Sequence, residues 1–125
     1  MDVRFTVPLV PPTVNHYVRH LRSGRHIVTP EAIAYKDAVA ILSQGQQVDA
    51  RAYSVGLGIF LGKGDKGDID NFPKLVLDGL KGHVFRSDAQ VRRLVVNLDR
   101  DWENPRTEIE VRDLCNHQLC VTCGR

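Results

Sequence analysis

Nine consecutive residues, from Tyr53 to Leu61, alternate without a break: Tyr53, Val55, Leu57, Ile59 and Leu61 fall on one side, with Gly56 and Gly58 on the other. That period belongs to a strand with one buried face, so the rest of the chain must supply neighbouring strands and a cover for that face. Val3, Phe5, Val7 and Leu9 alternate in the same way until Pro11-Pro12 stops them. Thr29-Pro30-Glu31 opens a helix, with Thr29 as N-cap and Pro30 at the first helical position, where its missing N–H costs nothing. Tyr35, Ala38, Val39 and Leu42 continue it at helical spacing as far as Gly45. A second helix is expected with Asp70 or Asn71 as its cap and Pro73 in its first turn. Phe72, Leu75, Val76 and Leu80 form its apolar stripe, and Gly79 with Gly82 ends it. Val91–Leu98 and Thr107–Val111 read as two more strands, and residues 13–28 as a long loop without period. The order β-α-β-α-β-β predicts a single α+β domain, one four-stranded sheet covered by two helices.

At 125 residues, 42% hydrophobic and 26% charged, the chain has the size and balance of one folded domain. Its longest apolar run, Ala38–Leu42, is far short of the roughly 20 residues a membrane helix needs. The first residues carry no signal-peptide pattern, and a cytoplasmic location is expected. All three cysteines, Cys115, Cys120 and Cys123, fall in the last eleven residues, which excludes a disulfide scaffold for the body of the domain. With His117 they offer four soft ligands, readable as a zinc site or as a reduced tail; the spacing is not a standard zinc pattern.

A formal charge of +2 does not by itself demand an anionic partner. Its distribution is more telling. From Asn15 to Thr29 there are three arginines and three histidines but no acid. Arg19, His20, Arg22 and Arg25, with Lys36 and Lys66 further on, are candidate phosphate contacts, which carry affinity but little sequence information; the alternative is a solvated loop.

The acids concentrate elsewhere: ten lie between Lys63 and Arg112, and Asp65-Lys66-Gly67-Asp68-Ile69-Asp70 packs three carboxylates into six positions. Carboxylates two positions apart in an extended segment point to one side, so Asp68 and Asp70 converge just before a helix, with Lys74 one turn inside it. Mg²⁺ takes hard oxygen ligands and is commonly held by one or two carboxylates together with substrate phosphate. Asp88, ahead of the strand at Val91, is a candidate third carboxylate. On spacing alone, Asp-x-Asp is a weak motif that also fits an exposed turn with Asp70 or Asn71 as helix cap, and Asp88 also fits a turn aspartate after Arg86-Ser87.

The pattern Asp68-x-Asp70-Asn71-x-x-Lys74-x-x-x-Asp78-x-Leu80, followed by Ser87-Asp88-Ala89-Gln90-Val91, resembles the signature of the RusA-type Holliday-junction resolvases, crossover-junction endodeoxyribonucleases of bacteria and their prophages. Pro11-Pro12-Thr13-Val14-Asn15, Arg19-His20-x-Arg22 and Thr29-x-Glu31-x-x-x-Tyr35-Lys36-Asp37 are similar to the same family in kind and order. The resemblance covers residues 3–112 and leaves 113–125 as an unmatched, cysteine-containing tail. It implies a RusA-like fold with a mixed sheet. It also implies that Asp68, Asp70 and Asp88 are metal-binding catalytic carboxylates and that Lys74 is the catalytic lysine. Asp78 matches a family position, with a supporting or plainly structural task. The implied enzyme is a Mg²⁺-dependent homodimer, with Mn²⁺ able to substitute, that nicks two strands symmetrically at a four-way junction in recombination and repair. A nuclease of broader branched-DNA range and a DNA-binding module without catalysis are the competing readings. The basic run before Asp68 is thinner than usual for the family, because Asp65 interrupts Lys63 and Lys66.

Overall fold

The structure is a computed structural model that describes residues 2–13, 18–24 and 26–114. The four expected strands form one sheet. Strands β1 (Asp2–Val7), β4 (Tyr53–Leu61), β5 (Val91–Arg100) and β6 (Arg106–Asp113) lie in the order β1-β6-β4-β5. β6 is antiparallel to both neighbours, with Phe5 opposite Ile109 and Leu57 opposite Ile109 on the other side. β4 and β5 run parallel, from Tyr53 beside Val91 to Leu61 beside Arg100. The sheet is therefore mixed, with β1 and β5 as its edges.

Helices α1 (Pro30–Leu42) and α2 (Pro73–Leu80) cover one face. Thr29 caps α1 by accepting the Ala32 N–H, as its sequence predicts. Tyr35, Val39, Leu75, Val76 and Leu80 pack from the helices onto Val55, Leu57, Ile109 and Val111. The helices approach closely at Gly79, where a Cβ would stand 3.0 Å from the Cβ of Val39; Gly79 thus serves packing inside α2 and does not end it. The opposite face stays open, and Gly56 and Gly58 there sit against the Glu110 and Glu108 side chains.

Two expectations are corrected. The stretch 13–28 is not a loop throughout: β2 (Val18–His20) pairs with β3 (His26–Val28) as a separate hairpin, turned through Gly24 at a φ of +83°. Three-residue strands are too short to show a period, which is why the pattern hid them. The second helix has no Asp or Asn cap. Ile69–Asn71 forms a 3-10 turn, and Phe72 occupies the N-cap position without a side-chain hydrogen bond. Buried Phe72, clustered with Ile59 and Leu61, decides where α2 begins. At the other terminus β6 runs on through Asp113, and buried Leu114 donates its N–H to the Ala52 carbonyl.

Candidate active site

The chain crosses between the parallel strands β4 and β5 through a loop, the 3-10 turn, α2 and a second 3-10 turn, so the candidate residues all lie on this one crossover. Its first part folds back over the end of β4. Asp65 closes the turn by accepting the Gly62 N–H at 2.7 Å, and Arg100 at the end of β5 donates to the Asp65 carbonyl at 3.4 Å. Asp65, which breaks the basic run in the sequence, is thus the residue that shapes the loop. Gly67 follows with φ +149°, where a Cβ would fall 2.7 Å from the Phe72 ring and 2.8 Å from Thr13. No side chain fits there, and this tight passage delivers Asp68 and Asp70 to the surface.

Asp68 and Asp70 are exposed, and neither carboxylate hydrogen-bonds or ion-pairs with any described residue. Asp68 enters the 3-10 turn in extended backbone and Asp70 lies within it, so two hard-oxygen donors stand two positions apart in the chain, ahead of the positive end of α2. Lys74, in the first turn of α2, is held by Asp78 at 3.0 Å, with the lysine side chain 58% and the aspartate side chain 16% exposed. Asp78 thus acts as the post that fixes the direction of the lysine. The chain 2–13 ends on the same side, where Thr13 stands 2.8 Å from the Gly67 Cβ position.

Asp88 lies elsewhere. α2 carries the chain back along the sheet to Phe85, whose ring centroid is 5.4 Å from that of Tyr53 at the start of β4. There Ser87 and Gln90 form a capping box: the Ser87 hydroxyl accepts the Ala89 N–H, and the Gln90 amide oxygen accepts the Ser87 N–H. Half-buried Asp88 sits inside that box, one turn before β5 begins. The flanking Ser87 and Gln90 thereby acquire a physical role, fixing the backbone that presents Asp88. Seven residues of strand separate Val91 from Leu98, a rise of about 23 Å at ~3.3 Å per residue, so Asp88 and the Asp68–Asp70 pair occupy opposite ends of β4–β5. Accordingly, among the described residues no three His, Cys, Asp or Glu side chains stand together as a metal-holding group.

Lys66 is exposed two residues before Asp68, Arg22 is exposed in the hairpin turn, and Lys36 is half-buried on α1. Arg19 and His20 belong to β2 by backbone. Arg25 lies outside the described residues, as do Cys115, His117, Cys120 and Cys123. No helix among the described residues is long and apolar enough to cross a membrane.

The model of the RusA endodeoxyribonuclease family matches residues 8–112 of the chain, including all four candidate catalytic positions. A crossover junction endodeoxyribonuclease of Enterobacteria phage 82 is 34% identical over 85 residues, which is 65% of this chain and 70% of the phage protein. With the family matched over most of its length, the chain belongs to the RusA endodeoxyribonucleases.

Proposed function

We propose that this endodeoxyribonuclease resolves four-way DNA junctions by paired, symmetric nicks, using Mg²⁺ held by Asp68, Asp70 and Asp88. The observation that carries the reading is the exposed, unpaired Asp68–Asp70 pair beside a lysine anchored by its own aspartate, in a chain of this family. Structural caps need no such exposure. Here neither aspartate side chain makes a cap hydrogen bond, which leaves both carboxylates open to a cation.

The donor chemistry suits Mg²⁺, but one chain holds only two of the three carboxylates in one place. A second copy resolves this. β5 is a ten-residue edge strand with Leu94 42% and Val95 41% exposed, the kind of edge that pairs with another chain. Antiparallel pairing of two β5 edges about a two-fold axis brings the start of one strand beside the end of the other. Asp88 of a second copy then approaches Asp68 and Asp70, and the two composite sites are related by symmetry, as two symmetric cuts require. Bound there, Mg²⁺ supplies charge neutralisation at the phosphate and eases deprotonation of the attacking water. The protein's own part is to hold the carboxylates, to place the Lys74 ammonium beside the developing charge, and to dock the backbone on Arg19, His20, Arg22, Arg25, Lys36 and Lys66. The expected products carry 5′-phosphate and 3′-hydroxyl ends that ligase can rejoin.

Incubation with a labelled synthetic four-way junction and a linear duplex, with and without Mg²⁺, tests the reading. Symmetric nicking of the junction alone, dependent on the metal, is expected. Equal cutting of both substrates favours the broader nuclease, and binding without cutting favours the catalytically silent module.

A further inference from the structure

The loop between β5 and β6 carries the chain's single tryptophan, Trp102, with 62% of its surface exposed. A large aromatic ring left in water has no folding use, yet the loop that presents it is tightly built. The Asp101 N–H donates to the Leu61 carbonyl, and the Asp101 carboxylate accepts the Asn104 N–H at 3.2 Å and the Arg106 guanidinium at 2.8 Å. Arg106 also donates to the Asn104 carbonyl and lies 3.9 Å over the Phe60 ring. Pro105 closes on Gly62, leaving its ring carbons 3.0 Å from where a Cβ would be. Gly62 and Asp65 belong to the loop that leads to Asp68, and Arg100 bridges to Asp65 from the strand that enters the Trp102 loop. The backbone that carries Trp102 is therefore held in place, on the same end of the sheet as Asp68 and Asp70. The loop crosses the end of β4 towards β6, away from the free β5 edge.

Resting on the reading of the site given above, we infer that Trp102 is a branch-sensing residue: its indole stacks on an unpaired or unstacked base at the crossover and positions the junction over Asp68 and Asp70. Three features select a base over the phosphate backbone. Indole offers a π-face of low polarity that suits any base. The neighbouring Glu103 repels phosphate. The Asp101 charge is taken by Arg106, leaving the ring unopposed by its other neighbour. A continuous duplex keeps its bases stacked and offers no such face, so the contact discriminates branched from linear DNA without reading sequence. It supplies a source of junction preference that carboxylates and phosphate-binding cations lack.

Because Trp102 is the only tryptophan, the wild-type protein reports on itself. In EDTA, where no cleavage occurs, a four-way junction is expected to quench the tryptophan emission strongly and a linear duplex of the same length only weakly. Trp102→Ala is expected to weaken junction binding about ten-fold while changing linear-duplex binding less than two-fold, and Trp102→Phe to retain most of the preference. Unchanged emission on junction binding, or an alanine variant that binds and cuts the junction like the wild type, overturns the inference and leaves the nuclease reading intact. A concentration-dependent blue shift without DNA assigns the ring to a contact between protein copies and also overturns it. A wild-type protein that neither binds nor cuts any DNA removes the nuclease reading, and the inference falls with it.

Discussion

The two ends of the parallel pair β4–β5 share a strand length and a set of candidate residues, yet they are built in different ways. At one end Asp68 and Asp70 stand bare in water and Lys74 is braced by Asp78. At the other, Asp88 is locked into a capping box beside a cleft of about 560 Å³ lined by Asp49, His83, Arg86 and Gln90. One end holds uncommitted charge and the other holds a single carboxylate on a rigid support. Neither end is a complete site. The crossover thus spreads its candidate residues along the sheet, and in the dimeric reading proposed above a second copy reunites them.

The largest expected effect comes from removing charge from the bare end. Asp70→Asn is expected to lower junction cleavage in Mg²⁺ by orders of magnitude. Since Asp70 is exposed and caps nothing, the melting temperature is expected to shift by no more than the equivalent of about 0.5 kcal/mol. Junction binding in a gel persists, because it rests on cations touching phosphate. Near-wild-type cleavage by this variant removes Asp70 from catalysis, and unfolding makes it structural.

Next in size is the edge that joins the two ends. Replacing both Leu94 and Val95 by lysine places like charges along the proposed two-fold contact. Sedimentation is expected to show a dimer for the wild type and a folded monomer for the variant, with the variant's cleavage reduced at least ten-fold. Unchanged sedimentation moves the contact to another surface.

Gly67→Ala comes third and strains the delivery of the bare end. At φ +149° and with Phe72 and Thr13 in the way, the loop must shift, at a cost of order 1–3 kcal/mol. Several degrees of thermal stability and several-fold in cleavage rate are expected to be lost together. Full activity with normal melting means that Asp68 and Asp70 tolerate displacement.

How much of this was legible beforehand follows from the physics of each signal. The unbroken alternation of Tyr53–Leu61 and the Thr29 cap are local patterns, and both elements stand where the sequence puts them. The start of α2 is not legible locally: Asp70 and Asn71 have capping chemistry, whereas burial of Phe72 is a tertiary effect that no local rule registers. The hairpin gives no periodic signal because its strands are three residues each, and Gly24 is the one local mark of its turn. Asp65 looked like an interruption of a basic run; its distance of three residues from Gly62 was the available sign of a side-chain-closed turn. The Asp68-x-Asp70 pair and Lys74 were visible as a motif. The remoteness of Asp88 was not, because sequence order does not say which way a crossover runs, and the parallel register of β4 and β5 decides it.

The smallest effect is a pH dependence in the loop beside the bare end. Hydrogen bonding and charge from Arg106 hold the Asp101 carboxyl below its ordinary value. A carboxyl lowered on folding contributes its full stabilisation above its unfolded pKa, roughly 3.9, and loses it as the pH falls through the lower folded value. Tryptophan emission is therefore expected to stay constant from neutral pH down to about 5 and to change only in more acid solution. In Asp101→Asn that acid step disappears; a step that persists in the variant assigns it to another group.

The most direct measurement of the divided site is a mixing experiment. Asp70→Asn and Asp88→Asn chains are each expected to be inactive alone. If Asp88 serves the Asp68–Asp70 pair of the other copy, co-refolded mixtures contain heterodimers in which one composite site carries both substitutions and the other carries none. Such mixtures are expected to recover single-strand nicking of a four-way junction in Mg²⁺, without the paired cut that releases two duplexes. A mixture that forms heterodimers and stays as inactive as its separate components contradicts a site shared between two chains.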